Sequence, residues 1–156
     1  MSQFAREGDR VRVNTAQTVL QKIDADIENR VRYYATQPKH IISGRIAALD
    51  REWDMERYLE TNASSIALGS LVLGLTVNKK WLAVSTAVLG FLLLHGVQGW
   101  CPPVPVLRRL GIRTRGEIDR EKFALKVLRG DFQGLSADVA EIRKNPADQV
   151  MNAVRA

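Results

Sequence analysis

Few side chains in this sequence could carry chemistry. Cys101 is the one cysteine; it ends a long apolar run beside Pro102 and Pro103, with Arg108 and Arg109 following. Such a thiol could hold a persulfide, ligate a metal or form an intersubunit disulfide, provided positive charge and exposure make it reactive. The plainer alternative is a small packing residue where the chain turns. His95 lies less than two helical turns before it, and polar side chains inside apolar spans often mark paths or sites. Haem or zinc would need further ligands, and the other histidine, His40, lies in a charged flank. A symmetric oligomer could pair His95 with its copies; a hydrogen bond across a helical hairpin is the simpler expectation. The apolar region holds no carboxylate, and Ser64, Ser65 and Ser85 have no neighbouring base. No catalytic, cofactor-binding or metal-binding residue is therefore expected. A lone cysteine also excludes an internal disulfide framework.

The elements that must hold these residues follow from how charge is sorted along the 156-residue chain. Lys and Arg number 23 and Asp and Glu 17, for a net charge of +6. From Asn62 to Leu107, the only charged residues are Lys79 and Lys80. Two uncharged stretches flank that pair, Asn62–Val77 and Trp81–Cys101. About 20 helical residues, rising ~1.5 Å each, cross a ~30 Å hydrocarbon layer. The second stretch is long enough, and Trp81 and Trp100 would lie about 28 Å apart, one at each interface. The first covers only about 24 Å and must borrow Tyr58 and Leu59 while Glu60 snorkels, or thin the bilayer. Buried helices of a soluble hairpin would explain the short stretch. They would also require protein cover on every side of Phe91-Leu92-Leu93-Leu94, and the rest of the chain offers only narrow apolar stripes.

The pattern predicts an all-α protein: a two-helix transmembrane hairpin over 62–101 with amphipathic cytoplasmic helices on both sides. Asn78-Lys79-Lys80 is a turn that joins antiparallel helices. Arg45, Arg51 and Arg57 precede the hairpin, and Arg108, Arg109, Arg113, Arg115 and Arg120 follow it. Against two turn lysines, these place both termini in the cytoplasm, with Arg108 and Arg109 anchoring the interface. Met1–Asn14 lacks the apolar core of a signal peptide. Small residues four apart, Ser65 with Gly69, Ser70 with Gly74, Ala83 with Ala87 and Thr86 with Gly90, make faces on which helices in lipid approach closely.

Residues 1–13 read as a flexible N-terminus and 14–61 as helical arms. Leu20, Ile23, Ile27 and Val31 make one stripe; beyond Pro38, Ile42, Ile46, Leu49 and Trp53 make a second. With no proline between Pro38 and Val77, and only Gly44 to interrupt the arm itself, the second arm is expected to run straight into the first span. Residues 1–61 carry no net charge, which favours protein contact over lipid headgroups and points to self-association through the two stripes. In the juxtamembrane segment, 102–132, prolines stop the second span. Thr114 and Glu117 then form a capping box for a helix ending near Gly130. The tail, 133–156, reads as weakly structured and is split at Asn145-Pro146. The sequence has no repeat, low-complexity tract or glycine-rich phosphate loop, and nucleic acid is not an expected partner.

The run from Gly99 to Thr114 resembles one family. A Gly-aromatic-Cys-Pro ends the second span at Gly99–Pro102, and Leu-Gly-Ile-x-Thr follows at Leu110–Thr114. This is similar to the YgaP-like transmembrane domain, a small two-span bacterial inner-membrane domain of unknown function, over about residues 50–132. The resemblance implies an inner-membrane location and no agreed activity. In one member the domain is joined to a sulfur-transferring rhodanese domain, of which this chain carries no active-site loop. The expected function is a non-catalytic inner-membrane protein, in contact with membrane lipids. It would form a homo-oligomer or a subunit of a larger complex through its cytoplasmic helices. The alternative is an oligomeric transport or sulfur-handling protein using Cys101 and His95.

Overall fold

Seven helices and no strand make up residues 9–132, the part of the chain that the computed structural model describes. They are α1 (Arg10–Val13), α2 (Gln17–Ala35), α3 (Lys39–Arg51), α4 (Met55–Thr76), α5 (Trp81–Gln98), α6 (Val104–Arg109) and α7 (Arg115–Arg129). The all-α expectation holds there; the tail and its break at Asn145-Pro146 lie outside the described residues. The chain divides into two compact units, Met1–Asp26 with Glu52–Ile118, and Ile27–Arg51 with Asp119–Ala156. Helices α2 and α7 each supply residues to both.

In the first unit α4 and α5 form the hairpin. Asn78 makes its turn, its Oδ1 accepting from the Lys80 N–H at 2.9 Å. Small residues bring the helices together. Gly74 is packed so closely that an added Cβ would lie 2.5 Å from Leu82 Cδ2. Ser85 Oγ donates to the Ala67 carbonyl at 3.2 Å. Of the four small pairs, Ser70 with Gly74 is buried, whereas Gly69 and Gly90 have open space around them.

Three local features differ from the sequence expectation. The second arm does not run into α4, because Glu52, Trp53 and Asp54 interrupt the helix. Asp54 caps α4, accepting from the Arg57 N–H at 2.9 Å, and the Met55 N–H donates to the Arg113 carbonyl at 2.9 Å. Trp53 therefore belongs to no helical stripe; Arg57 stacks over its ring at 4.3 Å. Secondly, the prolines do not stop α5. Gly99 does so in the left-handed conformation (φ 72°), where an added Cβ would come within 2.6 Å of the Arg10 backbone. Pro103 and Pro105 instead begin the short α6. Thirdly, residues 9–13, expected to be flexible, form α1 and its Asp9 cap, and Val11 of α1 joins Met55, Leu59, Cys101 and Val104 in a buried core.

The second unit is built on the arm stripes. Among the described residues, Ile27 from α2, Ile42, Ile46 and Leu49 from α3, and Leu125 from α7 are its buried apolar residues. Pro38 sets the start of α3, its carbonyl accepting from the Ile41 and Ile42 N–H groups at 3.0 and 3.2 Å.

Candidate functional site

The end of α5 is held by α1. Arg10 Nη1 donates to the Gly96 carbonyl at 2.5 Å, and Asn14 Nδ2 donates to the Gln98 carbonyl at 2.8 Å. These satisfy carbonyls that a helix C-terminus leaves without intrahelical partners. Asp9 caps α1, accepting from the Arg12 N–H at 3.1 Å, and also accepts from the Thr114 hydroxyl.

Thr114 and Glu117 form the capping box that their spacing predicts. The Thr114 N–H donates to Glu117 Oε2 at 2.9 Å, and the Glu117 N–H donates to Thr114 Oγ1 at 3.4 Å. The same carboxylate has partners that spacing did not reveal. Arg108 binds it in a fork, Nη1 to Oε2 and Nη2 to Oε1, both at 2.7 Å. Arg108 Nε also donates to Thr15 Oγ1 at 3.1 Å and its Nη1 to the Ile112 carbonyl at 3.0 Å. Arg12 reaches Glu117 as well, and pairs with Asp24 at 3.0 Å.

The Arg108 and Glu117 side chains are each 1% exposed. Arg108 is thus a folded-unit residue and not the membrane-interface anchor that the sequence suggests; Arg109 is exposed. Burial pushes the Glu117 carboxyl up, but the hydrogen bond and charge of Arg108, the Thr114 N–H and the Arg12 charge together hold it below its ordinary value. For Arg12 burial works downward, and Asp24 and Glu117 outweigh it, so its pKa is raised. A carboxylate held ionised between two guanidiniums is a poor proton donor or acceptor near neutrality. This cluster orders α1, α6 and α7.

Glu121, one turn on from Glu117, is the corresponding buried carboxylate of the second unit. Arg30 Nε meets its Oε2 at 3.0 Å, and Arg45 meets its Oε1 through Nε at 2.9 Å and Nη2 at 2.8 Å. Nothing in the spacing of Arg30, Arg45 and Glu121 marks them as partners, because each lies on a different helix.

The two candidate chemical residues lie close together at the end of the hairpin. Cys101 is buried in the core beside Val104, with no other cysteine to pair with in the chain. The nearby Arg108 guanidinium is neutralised by Glu117, which leaves little of the exposure or positive charge that a reactive thiol needs. His95 does not make the cross-hairpin hydrogen bond expected of it; Ser85 makes one instead. Its Nδ1 is buried without a partner among the described residues. His95 lines two cavities. One, of about 400 Å³, is an apolar slot between α4 and α5 walled by Leu59, Ala63, Ile66, Phe91 and Leu92 and reaching Cys101. The other, of about 550 Å³, is polar and includes Glu56, Glu60, Arg10 and Arg115. Among the described residues, no group of three His, Cys, Asp or Glu side chains is placed to hold a metal ion.

The residues expected to mediate self-association are mostly covered within one chain. Leu20, Ile23, Ile27, Ile42, Ile46 and Leu49 are buried, Val31 is half-buried and Trp53 is exposed outside the helices. A second copy is not needed to shield those stripes, which corrects the physical basis of that expectation. Ser65, Gly69, Ala83, Ala87, Thr86 and Gly90 are exposed, as are Trp81, the first residue of α5, and Trp100, two residues past its end.

Among the described residues one helix, α5, is long and apolar enough to cross a membrane. Compared with known proteins, the chain matches no family model, no curated protein and no solved structure.

Proposed function

We propose that the chain is a non-catalytic module of the bacterial inner membrane. In this reading α4 and α5 cross the bilayer as a two-span hairpin, both termini face the cytoplasm, and the flanking helices form a folded cytoplasmic part that docks to a larger complex or to further copies. The observation that carries it is the bare apolar surface of the hairpin. Of the α5 residues only Ser85 is buried, and Leu89, Phe91, Leu93, Leu94 and Val97 are exposed. On α4 the exposed set runs from Ile66 through Leu68, Leu71, Val72 and Leu75 to Val77. In water so continuous an apolar surface is costly; in lipid it is solvated. Helix α4, at 22 residues, is about 33 Å long, of which the part beyond Glu60 covers about 24 Å, so in this reading Glu60 snorkels or the bilayer thins locally.

Copies would meet through the spans rather than through the arm stripes. Ser65 with Gly69, Ala83 with Ala87, and Thr86 with Gly90 are not used by the hairpin's own packing and leave open faces of small residues. The resemblance of Gly99–Pro102 and Leu110–Thr114 to the YgaP-like transmembrane domain supports the inner-membrane location.

Reporter fusions in bacteria test the topology. A phosphatase active only in the periplasm should be silent at the C-terminus and active when inserted between Lys79 and Lys80. An active C-terminal fusion, or recovery of the untagged chain in the soluble fraction, overturns the reading. Native mass in detergent then reports the number of copies.

A further inference from the structure

His95 joins a polar cavity to an apolar one, and its buried Nδ1 has no partner among the described residues. Buried polar atoms are nearly always hydrogen-bonded, so an orphan beside two cavities points to a bound group. The charges of the polar cavity say which kind. Arg10 is committed to carbonyls at the end of α5, Asp9 to its cap and to Thr114, and Arg115, the cavity's other cation, also has a partner. Glu56 and Glu60, one helical turn apart, have no cationic partner among the described residues, and like charges at that spacing repel. The unused groups are thus two carboxylates and one imidazole nitrogen, three acceptors for which a primary ammonium supplies three donors. The adjoining 400 Å³ slot is within the usual range for a small-molecule site, and its walls are almost wholly apolar.

We infer that His95, Glu56 and Glu60 bind the primary ammonium head of an amphiphile whose apolar chain lies in the α4–α5 slot. The inference goes beyond the module reading, since both cavities belong to the described fold whatever surrounds α5. Phosphatidylethanolamine and a free long-chain amine share this chemistry; phosphatidylcholine has no N–H to donate.

The whole protein in dodecyl maltoside, titrated with dioleoyl-phosphatidylethanolamine, dioleoyl-phosphatidylcholine or dodecylamine and read by native mass spectrometry, tests it. The expected result is one amine-bearing molecule per chain, held about tenfold more tightly than phosphatidylcholine, the scale of one charge-assisted hydrogen bond. The double variant Glu56→Gln with Glu60→Gln alters only exposed side chains, so it should stay folded and lose that preference. Ala63→Phe should fill the slot and abolish retention of every probe. Retention of phosphatidylethanolamine assigns the site to a bilayer lipid; retention of dodecylamine alone assigns it to a free amine. Equal retention of phosphatidylethanolamine and phosphatidylcholine with no hold on dodecylamine overturns the inference, as does an unchanged preference in the double variant. Either failure leaves the membrane topology to be decided by the reporter fusions.

Discussion

Helix α5 and helix α7, separated in the sequence by the short α6, are opposites in solvation. Between Trp81 and Gln98 there is no charged side chain, and almost nothing is covered. Between Arg115 and Arg129 charged residues recur in every turn, and the two glutamates that face inward, Glu117 and Glu121, are buried. The apolar helix is stabilised by whatever surrounds it. The charged one is held by the chain itself, through arginines drawn from α1, α2, α3 and α6. Mean hydropathy blends these two regimes into an ordinary average. Sorting, rather than content, separates them.

The contrast breaks most severely at Glu117. Glu117→Ala would strand Arg108, which is 1% exposed, beside Arg12, and should cost about 3–5 kcal/mol of stability. Thermal loss of the helical signal in detergent measures it. Replacing both partners, Arg108→Met with Glu117→Leu, should cost markedly less, since no unpaired charge remains buried. Acid is the corresponding chemical test. Because the folded pKa of Glu117 lies below the ordinary value of about 4.3, its contribution is complete above that value and is lost as pH falls through the folded pKa. Stability of the parent protein should therefore drop below about pH 4, and that part of the drop should be missing in Glu117→Gln, measured across the same acid titration.

The apolar side is tested by Leu89→Asp, near the middle of α5 and exposed. In a bilayer the charge should cost about 2.5–3.5 kcal/mol and reduce membrane insertion. In water the same change should stay within about 0.5 kcal/mol. The membrane-integrated fraction distinguishes the two, and full integration of the variant would sink the lipid assignment for α5.

Glu121→Ala should be milder than Glu117→Ala, about 1–2 kcal/mol, although Glu121 is as deeply buried. Its partners Arg30 and Arg45 have side chains 35% and 21% exposed and can rehydrate once released. Equal costs for the two glutamates would show that partner exposure does not set the energy. Thr114→Ala should cost no more than Glu121→Ala, about 1–2 kcal/mol, since it removes a cap contact that is already long at 3.4 Å together with the hydroxyl's bond to Asp9.

The helices were legible in the sequence wherever one local rule was uncontested. The stripe of α2, the capping box of α7 and the Asn78-Lys79-Lys80 turn are all where spacing put them. The break between α3 and α4 was missed because an unbroken run of helix formers hid an N-cap at Asp54, which acts together with the Arg113 carbonyl 59 positions later. Proline chemistry points to Pro102 and Pro103 as the stop of α5, but Gly99 precedes them and meets the Arg10 backbone. At the site, His95 and Cys101 could be singled out by type. Their surroundings could not, because the cavities and the Arg108–Glu117 fork are made by segments distant in sequence. An arginine after an apolar run looks like a membrane anchor until its carboxylate partner is known.

The fastening of α1 has a consequence for synthesis. The hairpin needs only neighbours, so it can form as soon as its residues emerge, and local contacts form fast. Helix α1 is made before the other described helices, yet apart from Asp24 its side-chain partners include Gly96, 86 residues away, and Thr114 and Glu117, 105 away. It must wait until both apolar stretches have been made before it can close the end of α5, and until the α7 start has been made before Asp9 and Arg12 find Thr114 and Glu117. A chain truncated before Glu117 would carry a finished hairpin with α1 seated on the end of α5, but Arg108 would lack its carboxylate fork and Arg12 would keep Asp24 alone, offering an uncompensated guanidinium to any factor that inspects nascent chains.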